Sequence, residues 1–452
     1  MSDRDDIQGN VLRGYASHLH AAYLLARIDN AATARALVMR LLDEDRIASE
    51  RDWGERPATR LNVALTRAGL ARLGADARPF EQFGDFCEGM RARARAHLGD
   101  LGANDPDNWD AVLREEIHAL FTVYGVTCDE RDRAAEDLTR ELAGAETTVV
   151  HDQRADMLKD GREHFGFYDG FSQPALDGIS EDRRSRRGEG VQRGRLRLGG
   201  DEWRNVRLGE FVLGYEDEDG VIPGQGERLL RNGTFMVWRK LEQHVDAFNA
   251  WIRAHAGHGD HAEEILRAKI LGRWPNGDSL IRRPAGGPGS ATGSGDSRTH
   301  DLEINDFTYG EDADGVRCPL GAHVRRSNPR DALGFRTERT RRNRLIRRGL
   351  PYVDRDETRG LIFVCFNASI TRQFEQVQGN WLMGGDTFAL GAERDFLTAG
   401  LDPGQPSLRM TIQGDRAHPP RFVERDEPFV TVRGGHYLFV PGLAALRTIA
   451  GG

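Results

Sequence analysis

The segment CPLGAHVRRSNPR, residues 318–330, sets one histidine, His323, between a small-residue turn (Gly321, Ala322) and two arginines, Arg325 and Arg326. Asn328, Pro329 and Arg330 close it. A neutral imidazole is the commonest protein ligand for a metal ion or a haem iron. Guanidinium groups beside it suit carboxylates or phosphates. A core histidine bonded to backbone has the same local signature, so the partner segments decide between the two. One is GFYDGFSQP, residues 166–174, which places the carboxylate of Asp169 between Gly166 and Gly170. Asp beside Gly is a common turn pair. The same carboxylate, once burial tunes it, can accept and return a proton. The other is LIRRGLPY, residues 345–352, in which Arg347 follows an apolar pair, with Arg344 and Arg348 competing for the role of a fixed cation.

Taken together and in this order, the motifs G-x-x-D-G, H-x-R-R-x-N-P-R and an arginine ahead of G-x-P-Y resemble those of the dye-decolorizing peroxidase family of haem enzymes. DIQGNVLRGY at 6–15 and GEFVLGY at 209–215 are similar to that family too, particularly to its longer bacterial and fungal-like members. The resemblance runs from the first ten residues to the last twenty. It implies one haem b per chain, with His323 as the axial ligand of the iron. It implies Asp169 as the acid/base on the opposite face and Arg347 as the cation that stabilises departing hydroxide. Gly166 and Gly170 would let backbone approach the macrocycle. Arg325, Arg326 and Arg330 become candidates for pairing with the haem propionates. Asp395, in RDFLTAG, is the candidate carboxylate behind His323, its alternative being an exposed loop aspartate.

The implied activity uses hydrogen peroxide to oxidise bulky aromatic, phenolic or dye-like small molecules through Compound I. Donors too large for a small cavity would need a surface Tyr or Trp as relay. Of the seven Trp and eight Tyr, none is singled out, and Trp381 reads as core. A non-enzymatic haem-handling protein, carrying haem or releasing its iron, would need the same axial histidine but not the Asp169/Arg347 pair. A haem-free interaction module would treat all three motifs as turns and surface charge.

The elements that must position these residues alternate between strand and helix. Segments 18–28 and 60–65 read as strands, with a helix at 32–42 between them, where Leu37/Leu41 and Val38/Leu42 recur at helical spacing. A short helix at 66–73, a strand at 117–126, a charged helix at 129–142 and a strand at 147–150 follow, which is the ferredoxin-like order. The order then repeats, with strands at 206–215 and 234–238, helices over 241–252 and 262–271, and a buried strand at 361–366. Ile370, Phe374, Val377 and Trp381 form one buried helix face. A final strand pair is expected at 429–440, turned by Gly434 and Gly435. The fold class is therefore α+β. The resemblance sharpens this to two ferredoxin-like halves with antiparallel sheets, 1–200 and 201–452, with haem held mainly by the second. The run SEDRRSRRGEG at 180–190 reads as a solvated loop and the Gly/Ser-rich insertion at 284–297 as a surface loop.

Composition bounds the rest. A chain of 452 residues can bury a sizeable core. Charged residues make up 30% and the net charge is -8, which favours neither nucleic acid nor an anionic membrane. No stretch is long and apolar enough to span a bilayer. The first residues lack the layout of a signal peptide, so a cytoplasmic location is expected. The four cysteines, Cys87, Cys128, Cys318 and Cys365, contain no C-x-x-C and signal neither a disulfide framework nor a zinc motif.

Overall fold

The strand β1, His20–Ile28 (HAAYLLARI), is apolar on both faces because both faces of its sheet are covered. In the computed structural model, which describes residues 3–52, 54–159, 161–170, 172–179, 205–284, 307–333 and 338–451, Ala22, Leu24 and Ala26 share one cluster with Leu37 and Leu41 of helix α1 (Ala31–Asp43) and Leu138 of helix α2 (Cys128–Gly144). Ala21, Tyr23 and Leu25 point the other way, into a cluster with Tyr124, Trp238 and Val364. Asn30 caps α1 by accepting from the amides of Ala32 and Thr33, and Thr127 starts α2 with a reciprocal capping box to Glu130.

The other strands are β2 (Thr59–Leu65), β3 (Ala119–Gly125), β4 (Thr147–Asp156), β5 (Thr234–Gln243), β6 (Ile346–Arg347), β7 (Leu350–Val353), β8 (Arg359–Asn367), β9 (Leu408–Ile412), β10 (Arg421–Arg425) and β11 (Val430–Val440). Among the described residues one antiparallel sheet runs β4-β1-β3-β2-β11-β5-β8-β6, with β7 also on β8, and β9 and β10 form a separate pair. The first and second parts of the chain are thus not separate sheets. They join where Phe439 of β11 meets Leu65 of β2. The sheet curls until β4 lies beside β7, and Gln153 of β4 donates to Asp354 just past β7 at 2.9 Å. The C-terminal helix, Leu443–Gly451, returns to pack on α1. No described helix is long and apolar enough to cross a membrane.

Several expected elements differ. Residues 429–440 form one strand, β11, rather than a hairpin. The glycines relieve a register shift between Val432 and Gly434, a bulge and not a turn. The apolar run 206–215 forms a single bridge at Val206 and a short 3-10 turn, Leu208–Glu210; Phe211, Val212 and Leu213 are buried as loop side chains without a ladder. The helix carrying Phe374, Val377 and Trp381, Thr371–Leu382, is wound as a π-helix. The wider turn presents Phe374, Gln378 and Leu382 together. π-Segments concentrate at functional sites. The helix at 262–271 forms as expected (α4, Ala262–Leu271), whereas the one expected over 241–252 begins only at Val245 (α3, Val245–His255), because Leu241 belongs to β5. The charge run at 180–190 lies outside the described residues, as does the Gly/Ser-rich insertion beyond Pro284.

Candidate active site

A deep cleft, with about 1870 Å³ of empty space including its mouth, opens beneath the second part of the sheet and gathers His323, Asp169 and Arg347. Its walls are largely apolar: Leu361 and Phe363 of β8, Val430 and Val432 of β11, and Phe374 and Leu382 of the π-helix. Strand alternation explains the wall. Arg239, Leu241 and Gln243 of β5 face the cleft, while Trp238 faces the opposite cluster.

His323 begins a short helix, α5 (His323–Ser327), just after the buried Ala322. Its side chain keeps 24% exposure on the cleft side. Nδ1 lies 3.0 Å from Oδ2 of Asp395, and no described residue bonds Nε2. Asp395 has no exposure. Its other oxygen, Oδ1, accepts from the Thr398 amide and hydroxyl, each at 2.7 Å. Burial pushes its carboxyl upward, but His323, Arg326 and Thr398 outweigh burial and bring it down to about 2.

Asp169 sits on a loop held from several sides. Its Oδ1 accepts from the Gly170 amide at 2.6 Å, and Nη1 of Arg347 approaches it to 3.4 Å. Both side chains are 37% exposed. Arg347 lies on β6, where Ile346 points into the core and Arg347 into the cleft. Gln173 locks loop and strand together: it accepts from the Arg347 amide and donates to the Arg347 carbonyl, both at 3.0 Å. The Glu163 carboxylate accepts from the amides of Phe165 and Phe167 at 3.0 Å and from Gln243, tying the loop to β5. Gly166 and Gly170 have φ of +91° and +88°, values that L residues rarely adopt, and open space on the side where a Cβ would sit. Their conformation therefore accounts for glycine without any approach to a ligand.

The neighbouring arginines divide. Arg348 donates to the carbonyls of Asn10, Val11 and Leu12, so it clamps the N-terminal segment, and burial brings it down to about 10. Arg344 borders the cleft with Arg347. Arg325 turns away from the cleft: it is 1% exposed, pairs with Asp312 at 3.3 Å, donates to the Cys318 carbonyl and lies over the Tyr309 ring. Arg326 donates to the carbonyls of Trp381, Gly384 and Glu393. Arg330, at φ +50°, is buried with its guanidinium 5.1 Å from the Phe307 ring. None of Arg325, Arg326 and Arg330 is among the residues lining the cleft. Arg239 and Arg273 are, and the motifs pointed to neither. Trp381 is 5% exposed and borders the cleft as well as the core.

The donor set suits a haem. One imidazole nitrogen is fixed by a carboxylate while the other is left for an axial bond. The walls are apolar enough for a porphyrin, and guanidinium groups stand at the border for its carboxylates.

Comparison with known proteins agrees. Residues 6–157 match the DyP dimeric alpha+beta barrel domain, and residues 295–390 match the C-terminal domain of Dyp-type peroxidases. The multifunctional dye peroxidase of an Amycolatopsis strain is 30% identical over 86% of this chain and 82% of its own length. A dye-decolorizing peroxidase from Mycetinis scorodonius is 26% identical over 98% and 87%, respectively. A variant of the dye-decolorizing peroxidase from Pleurotus ostreatus shares the fold, with a TM-score of 0.81 at 22% identity over 99% of each chain. A dye-decolorizing peroxidase solved as a complex with 2,6-dimethoxyphenol aligns over the whole of both chains at 25% identity and a TM-score of 0.77. Motifs, antiparallel α+β architecture and full-length relatives converge, and the chain belongs to the dye-decolorizing (DyP-type) peroxidase family.

Proposed function

We propose that this chain holds one haem b in the cleft and uses hydrogen peroxide to oxidise bulky aromatic, phenolic or dye-like donors. The observation that carries the reading is the meeting, in one cleft, of a carboxylate-backed imidazole and a separate carboxylate–guanidinium pair. Haem, when bound, supplies the iron at which peroxide is reduced and the oxidising equivalents are held. His323 would bind that iron through Nε2. The Asp395 carboxylate on Nδ1 fixes the tautomer and makes the ring a stronger electron donor. Asp169 would take a proton from one oxygen of peroxide and deliver it to the other. Arg347 would keep positive charge beside the oxygen that leaves as water. Haem carriage alone would not need this second pair.

The haem carboxylates belong, in this reading, with Arg273 and Arg344 at the cleft border rather than with Arg325 or Arg330, since Arg239 is already held by buried Asp100 at 2.6 Å. The two parts of the chain are a pair of ferredoxin-like units. The first runs strand, helix, two strands, helix, strand. The second keeps that plan with a second helix after β5, with β6 and β7 both paired to β8, and with the β9/β10 pair inserted before β11. Each orders its strands so that its last lies beside its first: β4-β1-β3-β2, then β11-β5-β8-β6. The second unit supplies most of the cleft. The phenol captured by one relative supports a phenolic donor class.

The test is a UV–visible spectrum of the haem-reconstituted protein before and after one equivalent of hydrogen peroxide. A Soret band that shifts with peroxide and returns on adding a dye is the expected result. A band that only bleaches, without dye turnover, would replace peroxidase by haem handling. No Soret band would remove His323 as ligand.

A further inference from the structure

A second group of chemistry-bearing side chains lies away from the cleft. His20 opens β1 and Asp156 closes β4, and the two are direct partners across the antiparallel ladder. Cross-strand partners project to the same face. Cys128 is the first residue of α2, held over this pair by the capping box at Thr127. His20 Nδ1 is 2.7 Å from Asp156 Oδ1 and 3.2 Å from Cys128 Sγ, and Sγ is 3.7 Å from Oδ1. Among the described residues this is the one group of three His, Cys, Asp or Glu side chains that converges in this way.

Imidazole, thiolate and carboxylate are the three ligand types that zinc takes. A tetrahedral ion with bonds of about 2.0–2.1 Å to N and O and about 2.3 Å to S sets its ligand atoms about 3.3–3.6 Å apart. The three observed separations bracket that spacing, and rotamer adjustments of up to about 0.7 Å, the largest between His20 and Asp156, place all three ligands around one ion. Each ligand comes from a different element: two strands of the sheet and the first turn of a helix. Arg131 donates to the same Asp156 oxygen at 2.8 Å and fixes the carboxylate. Its charge is offset by Asp132, 2.7 Å from its Nε. The three side chains are partly exposed, which leaves an entry path and a fourth position for water.

We propose that His20, Cys128 and Asp156 form a binding site for one zinc-class divalent cation, separate from the haem cleft, that ties the start of α2 to the β1/β4 margin of the sheet. The experiment uses the full chain with its haem, stripped by a chelator and then titrated with zinc chloride. Calorimetry counts the sites, and peptide mass spectrometry follows the rate at which iodoacetamide alkylates Cys128. One zinc per chain and at least tenfold slower Cys128 alkylation in zinc are expected. His20→Ala and Asp156→Asn should each abolish the protection, while the Soret band stays unchanged. Equal alkylation rates with and without zinc would overturn the proposal. So would zinc binding that survives intact in His20→Ala, because the ion would then sit elsewhere. Should His20→Ala fold poorly, Cys128→Ser, nearly isosteric and at an exposed position, gives the same decision by calorimetry. It must weaken zinc binding at least tenfold, or the site is wrong.

Discussion

Nδ1 of His323 and Oδ2 of Asp395 lie 3.0 Å apart although 72 residues separate them along the chain. The carboxylate is wholly buried and already accepts two bonds from Thr398, so it is held in place before the imidazole arrives. A carboxylate fixed in this way dictates which histidine nitrogen is free. Asp395→Asn keeps the shape but removes the charge and allows the amide to turn either end to Nδ1. Haem should remain bound, and peroxidase activity should fall by about 10–100-fold, the usual loss when the partner of a metal-bound histidine is changed. Steady-state dye oxidation at matched haem content checks it. Unchanged activity would leave Asp395 with no part in tuning His323.

The same pair makes stability depend on acid. In the folded chain Asp395 titrates at about 2, against its ordinary value of 3.8. Between those values the unfolded chain holds more protons, so the pair's stabilisation is complete above about pH 4 and lost as pH falls toward 2. The amount is about 2 kcal/mol. Urea unfolding of the haem-free protein at pH 6 and pH 3 should show about half of this loss, and Asp395→Asn should flatten the difference. An equal pH response in both proteins would contradict the assignment.

On the other side of the site, Asp169 and Arg347 are predicted to act on peroxide and not on haem binding. Asp169→Asn removes the proton acceptor and should slow the reaction with peroxide by about 10²–10⁴-fold. Arg347→Leu removes one preorganised positive group and should cost about 10²–10³-fold. Stopped-flow mixing with hydrogen peroxide, followed in the Soret region, measures both. In each variant the ferric spectrum before mixing should match the parent. Rates that stay at the parent value in both would remove the pair from the peroxide step.

How much of the fold and site is legible in the amino-acid sequence follows from the range of each interaction. His323, Asp169 and Arg347 stand in short segments whose order along the chain resembles one family's, and that resemblance, rather than any one segment alone, singles them out. Asp395 could be named only as a candidate, since nothing local says which distant histidine it meets. Glu163 and Gln173 were missed altogether. Their work is to hold backbone amides and carbonyls of a loop and of β6, and a polar side chain beside a motif does not announce that. Arg325 and Arg330 stand two and seven residues from His323, yet neither lines the cleft: Arg325 points to another side of the turn that carries His323, and Arg330 lies past that helix at φ +50°. The winding of Thr371–Leu382 was invisible because positions i, i+4, i+7 and i+11 fall on one face of an α-turn, and nothing in that spacing signals a π-turn. Gly434 and Gly435 misled because the glycine pair that makes a hairpin turn also relieves a bulge.

The division among the arginines is itself testable. Arg325 forms a buried pair with Asp312, and removing one member of such a pair leaves the other charge stranded, at a cost of about 3–5 kcal/mol. Arg325→Met should therefore lower the unfolding midpoint sharply. At a temperature where it remains folded, its haem affinity should be close to that of the parent, because its guanidinium faces Asp312 and Tyr309 rather than the cleft. Arg344 is the counterpart, since it borders the cleft, and burial has already brought it down to about 9. A charge held at that cost gains from an anionic ligand carboxylate. Arg344→Met should weaken haem binding. Chemical unfolding of the haem-free proteins, paired with haem transfer to apomyoglobin, separates the effects on stability from those on haem. The reverse pattern, with haem loss from Arg325→Met and none from Arg344→Met, would return the haem carboxylates to the histidine segment.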